Sequence, residues 1–499
     1  MVLQERRVDA EPDENFAGRS QTRKGRAITL PMLQRAAPAV VLVFVAALAP
    51  FPLGSIDPFF TMMWSAILAL GLAAAVLAPI GAAQARLVAL IIAIALGICL
   101  VEGARGLVGN SLVPSDPIWA EASAALKTQL QPSIAPTKHK ALFAAGPTIA
   151  FLAALCLGIL VGGLGTSVAS RSLNAIAWSG VGYAIYGFYA VAFTPGMVLW
   201  MERKGYAGSM LGTFLHRNTA ATYFGMMSLL WGMRLLDQIR SHIRGTISWS
   251  TMFRALERHT DKSLIINALG FFLCLLALVL TTSRAGVVLT FIASILAVVT
   301  YLRPYLPKTT RRARFILAGA LGVLVLAQVA GGTIVQRFQS TESTDNVETR
   351  LAIQATALRI AVDRPWLGTG LGTFPTIFQS YRERPPSIQG IVPYGYSTPL
   401  ELASEIGLPL MSVIVIATVL VLGRLGRTMF RARRRRALLV ATFFIALLAI
   451  AHSSFDFPLQ IPGFAIVCAA IVGIGLGLGL LKTGDSEVVS DSRRSAGAF

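Results

Sequence analysis

Charge is scarce in this chain: Asp, Glu, Lys and Arg make up 14% of its 499 residues, against 55% hydrophobic residues and a mean hydropathy of +0.65. A soluble domain of this size needs a polar surface that such a composition cannot supply, so lipid must cover part of the chain. Cysteine is scarce too. Cys99, Cys156, Cys274 and Cys468 all fall in apolar runs, where they act as small hydrophobes, which excludes a disulfide framework. There is no HExxH, no paired CxxC and no cluster of aspartates, so no metal or other cofactor is indicated, and without a P-loop or kinase-type glycine loop nucleotide hydrolysis is not the energy source. Residues 1–36 lack a short apolar core followed by a small-residue cleavage site and read as a basic cytoplasmic tail rather than a signal peptide.

Long apolar runs dominate what is present. A membrane-crossing helix needs about 20 apolar residues, and twelve stretches qualify: 37–54, 58–79, 86–104, 142–163, 174–195, 219–236, 264–282, 285–302, 315–334, 399–422, 437–454 and 461–481. The expected fold is an all-α membrane protein with about twelve transmembrane helices, a membrane domain over 37–482 and a cytoplasmic tail over 483–499. The net charge of +20 is spread between the spans, which argues against nucleic acid. With the N-terminus inside, most of the 44 Lys and Arg face the cytoplasm, including Arg311, Arg312, Arg314 and the run Arg433 to Arg436, as the positive-inside rule requires. Those clusters touch membrane lipid headgroups.

Three external segments are long enough to build a site: 105–141, 196–218 and 335–398. The first holds a short surface helix at Trp119–Leu126 between Pro114, Pro117 and Pro132. The third, a large loop between helices 9 and 10, is partly helical. Leu351, Ala355, Leu358 and Val362 are helically spaced there, and a breaker-rich run from Pro365 to Phe374 follows. No strand precedes its glycines, so they are a tight turn allowing close backbone approach rather than a dinucleotide fingerprint. Gly473–Gly479 in the last span is a close-packing helix face, and the repeat of Leu211-Gly-Thr-Phe214 at Leu371-Gly-Thr-Phe374 reads as coincidence.

Arginine beside a span costs roughly 2.5–3.5 kcal/mol unless it reaches an interface or a partner. Arg217, in Gly212-Thr-Phe-Leu-His-Arg-Asn218, and Arg284, in Thr281-Thr-Ser-Arg-Ala-Gly286, emerge at the same external face. They either snorkel to headgroups or offer two planar forks for phosphate oxygens. Glu401 and Glu405 share one helix face at the external end of the tenth span, where they orient arginines, accept a proton or merely sit in a favoured first turn. His452 and Asp456 lie four apart between the last two spans, a spacing that allows interaction although Pro458 leaves the local conformation open. His452 is either a catalytic base or a residue that closes a helix or satisfies a core hydrogen bond.

These motifs, together with Arg364-Pro-Trp-Leu-Gly-Thr-Gly-Leu-Gly-Thr-Phe374, Glu401-Leu-Ala-Ser-Glu-Ile-Gly407 and His452-Ser-Ser-Phe-Asp-Phe457, resemble in kind and order the O-antigen ligase and polymerase superfamily of bacterial membrane glycosyltransferases, over about 200–460. The resemblance implies a multi-pass inner-membrane enzyme with both termini cytoplasmic. Its periplasmic site would transfer a glycan from undecaprenyl pyrophosphate to an acceptor hydroxyl without a metal. It implies catalytic roles for Arg217, Arg284, Glu405 and His452, and substrate contact for His216, Asn218, Ser283, Arg350, Tyr396, Glu401 and Asp456. Partners would be the lipid-linked glycan, a glycan or lipid A-core acceptor, membrane lipid and other polysaccharide-export proteins. One departure stands out. Family ligases carry His-Asn shortly before the segment matching Glu401–Glu405, and this chain has Tyr394-Gly-Tyr396-Ser397 there, with no histidine in the large loop. A phenol, Glu405 or an arginine replaces that base, or His452 or His216 does. This favours a polymerase of O-antigen or exopolysaccharide repeat units over an O-antigen ligase. A flippase or transporter of lipid-linked oligosaccharides would instead place ionisable residues at mid-membrane depth.

Overall fold

Proline and short polar side chains set where many of the helices begin. The computed structural model describes residues 30–481, apart from 306–346, 110–114, 383–389, 433–434, most of 244–260 and a few isolated positions. In chain order it contains α1 (Leu30–Leu48), α2 (Pro58–Val76), α3 (Ala82–Ala104), α4 (Ile118–Leu126), α5 (Lys140–Gly163) and α6 (Thr166–Phe193). A two-stranded hairpin, β1 (Met197–Val198) and β2 (Met201–Glu202), precedes α7 (Arg217–Ser241), α8 (Lys262–Leu280) and α9 (Arg284–Leu302). Then come α10 (Val347–Asp363), α11 (Phe374–Tyr381), α12 (Thr398–Ile406), α13 (Leu408–Arg431), α14 (Arg436–Ser453) and α15 (Pro462–Leu480). Asp57 accepts the Phe59 amide at 2.8 Å to cap α2, Asp261 accepts that of Leu264 at 2.8 Å to cap α8, and Ser283 accepts that of Gly286 at 3.3 Å to cap α9. Proline occupies one of the first two positions of α2, α11, α12, α13 and α15, where its missing N–H leaves no bond unmade.

Among the described residues, nine helices are long and apolar enough to cross a membrane, and the chain is a multi-pass, all-α membrane protein. Two further expected spans have described counterparts that fall outside those nine. The stretch at 37–54 ends early, as α1 stops at Leu48, and the one at 219–236 lies within α7, whose last turns carry Arg234, Asp237 and Arg240. The expected span at 315–334 lies outside the described residues. The expected tenth span, 399–422, is two helices. Gly407, at φ 80 and ψ 163, turns the chain between α12 and α13 in a region open essentially to glycine, and Pro409 cannot continue the α12 hydrogen-bond ladder. Glu401 and Glu405 therefore belong to a short separate helix, and the spanning helix begins at Leu408.

The centre of the bundle is α15, almost wholly buried and packed along α5. A methyl on Gly162 would overlap the Ile474 carbonyl, and one on Gly477 the Ile159 carbonyl. The two backbones thus touch directly, as the glycine-rich face leads one to expect. Gly475 admits the Thr442 side chain of α14 in the same way. At the rim, α3 and α13 bury little of themselves and leave Leu90, Leu96, Leu100, Ile416, Val419 and Leu420 bare for lipid. The charged and aromatic residues described next gather at the end where α7 and α9 begin and α14 finishes.

Candidate functional site

Two helix N-termini are pinned together at this end. The segment leading into α7 lies against the α8–α9 turn: the Met210 amide donates to the Leu280 carbonyl at 2.9 Å, and the Ser209 and Thr282 hydroxyls are 2.7 Å apart. Thr282 takes the left-handed conformation at φ 56, which makes the turn tight enough for Arg284 to open α9 beside Arg217, the first residue of α7. Ser283 Oγ donates to Asn218 Oδ1 at 2.7 Å, so the residues flanking the two arginines are bonded directly. Each helix start adds a partial positive charge beside its arginine, a combination suited to phosphate oxygens. Arg217 lies half-buried over the Tyr206 ring at 5.0 Å, and Arg284 is exposed.

Asn218 continues the network. Its Nδ2 donates to Asp456 Oδ2 at 2.5 Å, and Arg350 Nη1, from α10, donates to the same oxygen at 3.1 Å. The other carboxylate oxygen accepts the Phe457 amide at 2.8 Å. Asp456 is 1% exposed, and burial pushes its carboxyl above the usual range against the opposing pull of Arg350, the Phe457 amide and Asn218. It thus sits beneath Arg350 and organises it. The 452–456 spacing does not pair these two side chains, because α14 ends at Ser453 and Asp456 lies beyond the helix. His452 Nδ1 meets Thr222 Oγ1 at 2.6 Å instead. That hydroxyl donates to the Asn218 carbonyl at 2.8 Å, so it accepts from His452, and the proton resides on Nδ1. Nε2 is then an acceptor with no partner among the described residues, fully buried behind Gly286.

An aromatic wall closes one side. Tyr394 stacks on Phe457 at 4.4 Å and 16°, His216 meets the same ring edge-on at 4.9 Å, and Tyr396 does so at 5.3 Å. The Arg350 guanidinium lies over the Tyr396 ring at 4.9 Å, and Gln354 donates to the Tyr396 carbonyl at 2.7 Å. Tyr396 is held at φ 52, a left-handed conformation that non-glycine residues seldom adopt outside constrained sites. Burial, with the neighbouring Glu401, raises the Tyr394 phenol to about 12.

The two glutamates of α12 support this wall from behind. Glu401 Oε2 accepts the Gly395 amide at 2.5 Å, between the two tyrosines, and Glu405 Oε1 accepts the Phe374 amide at 2.9 Å. Both are buried, and desolvation raises both carboxyls, Glu405 raising Glu401 further. The glycine run wraps α12 through backbone contacts. Thr369 and Gly370 donate to the carbonyls of Ser404 and Glu405 at 3.0 and 2.8 Å, and a side chain on Gly368, at φ 65, would strike the Glu405 carbonyl. This is the close approach expected of the glycines.

Sequence reasoning missed the group that ties the segment after α3 to this cap. Glu102, at the end of α3, pairs with Arg105 at 3.2 Å and accepts the Leu371 amide at 3.1 Å, and Arg105 donates to the Glu405 carbonyl at 3.3 Å. Arg364 pairs with Asp116 just before α4. The one available signal was Glu102 and Arg105 three apart at a span's end. Every candidate site residue lies at this end of the bundle, but Glu401, Glu405, His452 and Asp456 are buried, while Arg217, Arg284, Arg350, His216 and Tyr396 keep some exposure. Among the described residues no three His, Cys, Asp or Glu side chains converge as a metal site would need.

A family model described as O-antigen ligase matches residues 269–415, from within α8 to the first turns of α13. That stretch contains Ser283, Arg284, Arg350, Tyr396, Glu401 and Glu405. No curated protein matches the chain.

Proposed function

With the chain a member of the O-antigen ligase and polymerase superfamily, we propose that it polymerises surface-polysaccharide repeat units, transferring a glycan from undecaprenyl pyrophosphate to an acceptor hydroxyl at the periplasmic face of the inner membrane. The observation that carries this is the bonded series Ser283–Asn218–Asp456–Arg350, which binds two arginine-bearing helix N-termini and a third arginine into one cationic cluster beside an aromatic wall. Arg217 and Arg284 hold the pyrophosphate, and preorganised positive charge stabilises it as it departs. The wall of Tyr394, Tyr396, Phe457 and His216 receives sugar rings. The acceptor oxygen bonds to the anomeric carbon as that carbon's bond to the phosphate oxygen breaks. The acceptor proton passes to an oxygen of the departing pyrophosphate, which has just gained negative charge. Tyr396, stacked under Arg350, orients the acceptor hydroxyl. Glu401, Glu405 and His452 act from beneath as positioning residues, because their side chains face amides or core.

The O-antigen ligase description of the matching family supports a second reading, attachment of a finished glycan to lipid A-core. A deletion strain separates the two. Surface and secreted glycan reduced to single repeat units supports a polymerase, bare lipid A-core with polymer retained on its carrier supports a ligase, and a normal length distribution on decorated core overturns both.

A further inference from the structure

We propose that the end of the bundle opposite Arg217 and Arg284 holds the phosphate of an anionic phospholipid in a notch between α7, α9 and α14. Three arginines meet there. Arg240 comes from the last turn of α7, Arg303 follows α9, and Arg436 opens α14. Among the described residues, the acid that faces them is Asp237, and its Oδ1 already accepts the Tyr301 hydroxyl at 2.5 Å. Asp261 is turned away, capping α8 and accepting from Gln238 at 3.0 Å.

The arginines are built in rather than loose on the surface. The Arg240 guanidinium lies on the Tyr305 ring at 4.1 Å and donates to the Ile243 carbonyl. Arg436 is 8% exposed and donates Nη2 to the Thr300 carbonyl at 2.8 Å, while its buried Nε has no acceptor among the described residues. Arg303 is close enough to oppose the Arg436 charge. Like charges at a low-dielectric boundary repel, and a phosphate bridging them removes that repulsion while supplying acceptors to open N–H groups.

The surroundings favour a lipid over a soluble anion. Arg303 also lies 6.0 Å from the ring of Phe430, an exposed residue on α13, whose apolar face is almost entirely bare. Acyl chains can lie along that face while the headgroup occupies the notch. Basic pockets between membrane helices bind anionic headgroups in this way. The site is independent of the glycosyl-transfer reading and needs only that the bundle spans a membrane.

The test is native mass spectrometry of the full-length protein in detergent with phosphatidylglycerol, cardiolipin or phosphatidylethanolamine added singly. An anionic lipid should be retained at least about tenfold more tightly than phosphatidylethanolamine, about 1.4 kcal/mol. Arg303→Gln, an exposed change that leaves the core intact, should reduce that preference, and Arg303→Gln with Arg436→Gln should remove it. Arg424→Gln with Arg427→Gln, on exposed turns of α13, should leave it unchanged. Equal retention of the zwitterionic lipid, undiminished preference in the Arg303 variant, equal loss in the α13 pair, or displacement of the lipid by millimolar inorganic phosphate would overturn the proposal.

Discussion

Asp456 shows how one buried carboxylate can set the geometry of a surface cluster. Its oxygens hold Asn218 and Arg350, and Asn218 in turn holds Ser283 beside Arg284. Asp456→Ala leaves an amide and a guanidinium without their acceptor, at about 1–3 kcal/mol for each buried group. It should lower the thermal midpoint in detergent and loosen Arg350. Arg217→Ala and Arg284→Ala should instead leave the midpoint unchanged and reduce glycan product by at least about a hundredfold, the usual effect of removing one charge-stabilising donor. Lipid-linked repeat units should accumulate, and Arg284→Lys should retain part of the activity because charge survives without the fork. Normal long-chain glycan in either alanine variant would refute their role. The arginines were legible in the sequence because each stands at the edge of an apolar run, next to Asn218 or Ser283. Asp456 was legible as a polar exception but not in its partners, since Arg350 lies 106 positions away and helical spacing says nothing about such a pair.

Helices here are specified as much by what they omit as by what they contain. Gly162 and Gly477 let α5 and α15 approach backbone to backbone, so Gly477→Leu should force the two apart and destabilise the bundle by at least about 1–3 kcal/mol, seen as a lowered midpoint or loss of inserted protein. That face could be read from spacing alone, because glycine at short intervals in an apolar span has few other uses. The break between α12 and α13 was hidden because 399–422 is apolar enough on average to read as one span despite Glu401 and Glu405, although Gly407 and Pro409 mark it. Hydropathy records what lipid tolerates, whereas the turn depends on a backbone angle. Gly407→Ala should strain that turn by about 1–3 kcal/mol and admit a methyl group against the Trp366 carbonyl, freeing the segment over α12. Faster proteolytic cleavage within 365–407, with the rest of the bundle still resistant, is the expected result.

For the molecule as a whole, the all-α, multi-pass architecture followed from composition, with nine spanning helices among the described residues where about twelve were expected, whereas the way the connecting segments lock together did not. Ion pairs such as Glu102–Arg105 and Arg364–Asp116 join segments whose separation in sequence gives no pairing signal. The cap they form carries a pH signature. Glu401 and Glu405 titrate above the ordinary glutamate range when folded, so the folded chain binds more protons than the unfolded one between those ranges, and stability falls as pH rises through that window. The loss levels off once both are ionised, and Glu401→Gln with Glu405→Gln should flatten the midpoint-against-pH curve there. An unaltered curve in the double variant would refute this source. The buried position of α15 also has a consequence for how the protein is made. It is the last described helix to leave the ribosome, yet it forms the wall against which α5, α14 and α1 rest. The earlier helices therefore lack their central packing surface until α15 inserts and closes the centre. Chains released before Pro462 should be recognised as unfinished and degraded, which makes translation of α15 a checkpoint for the described bundle.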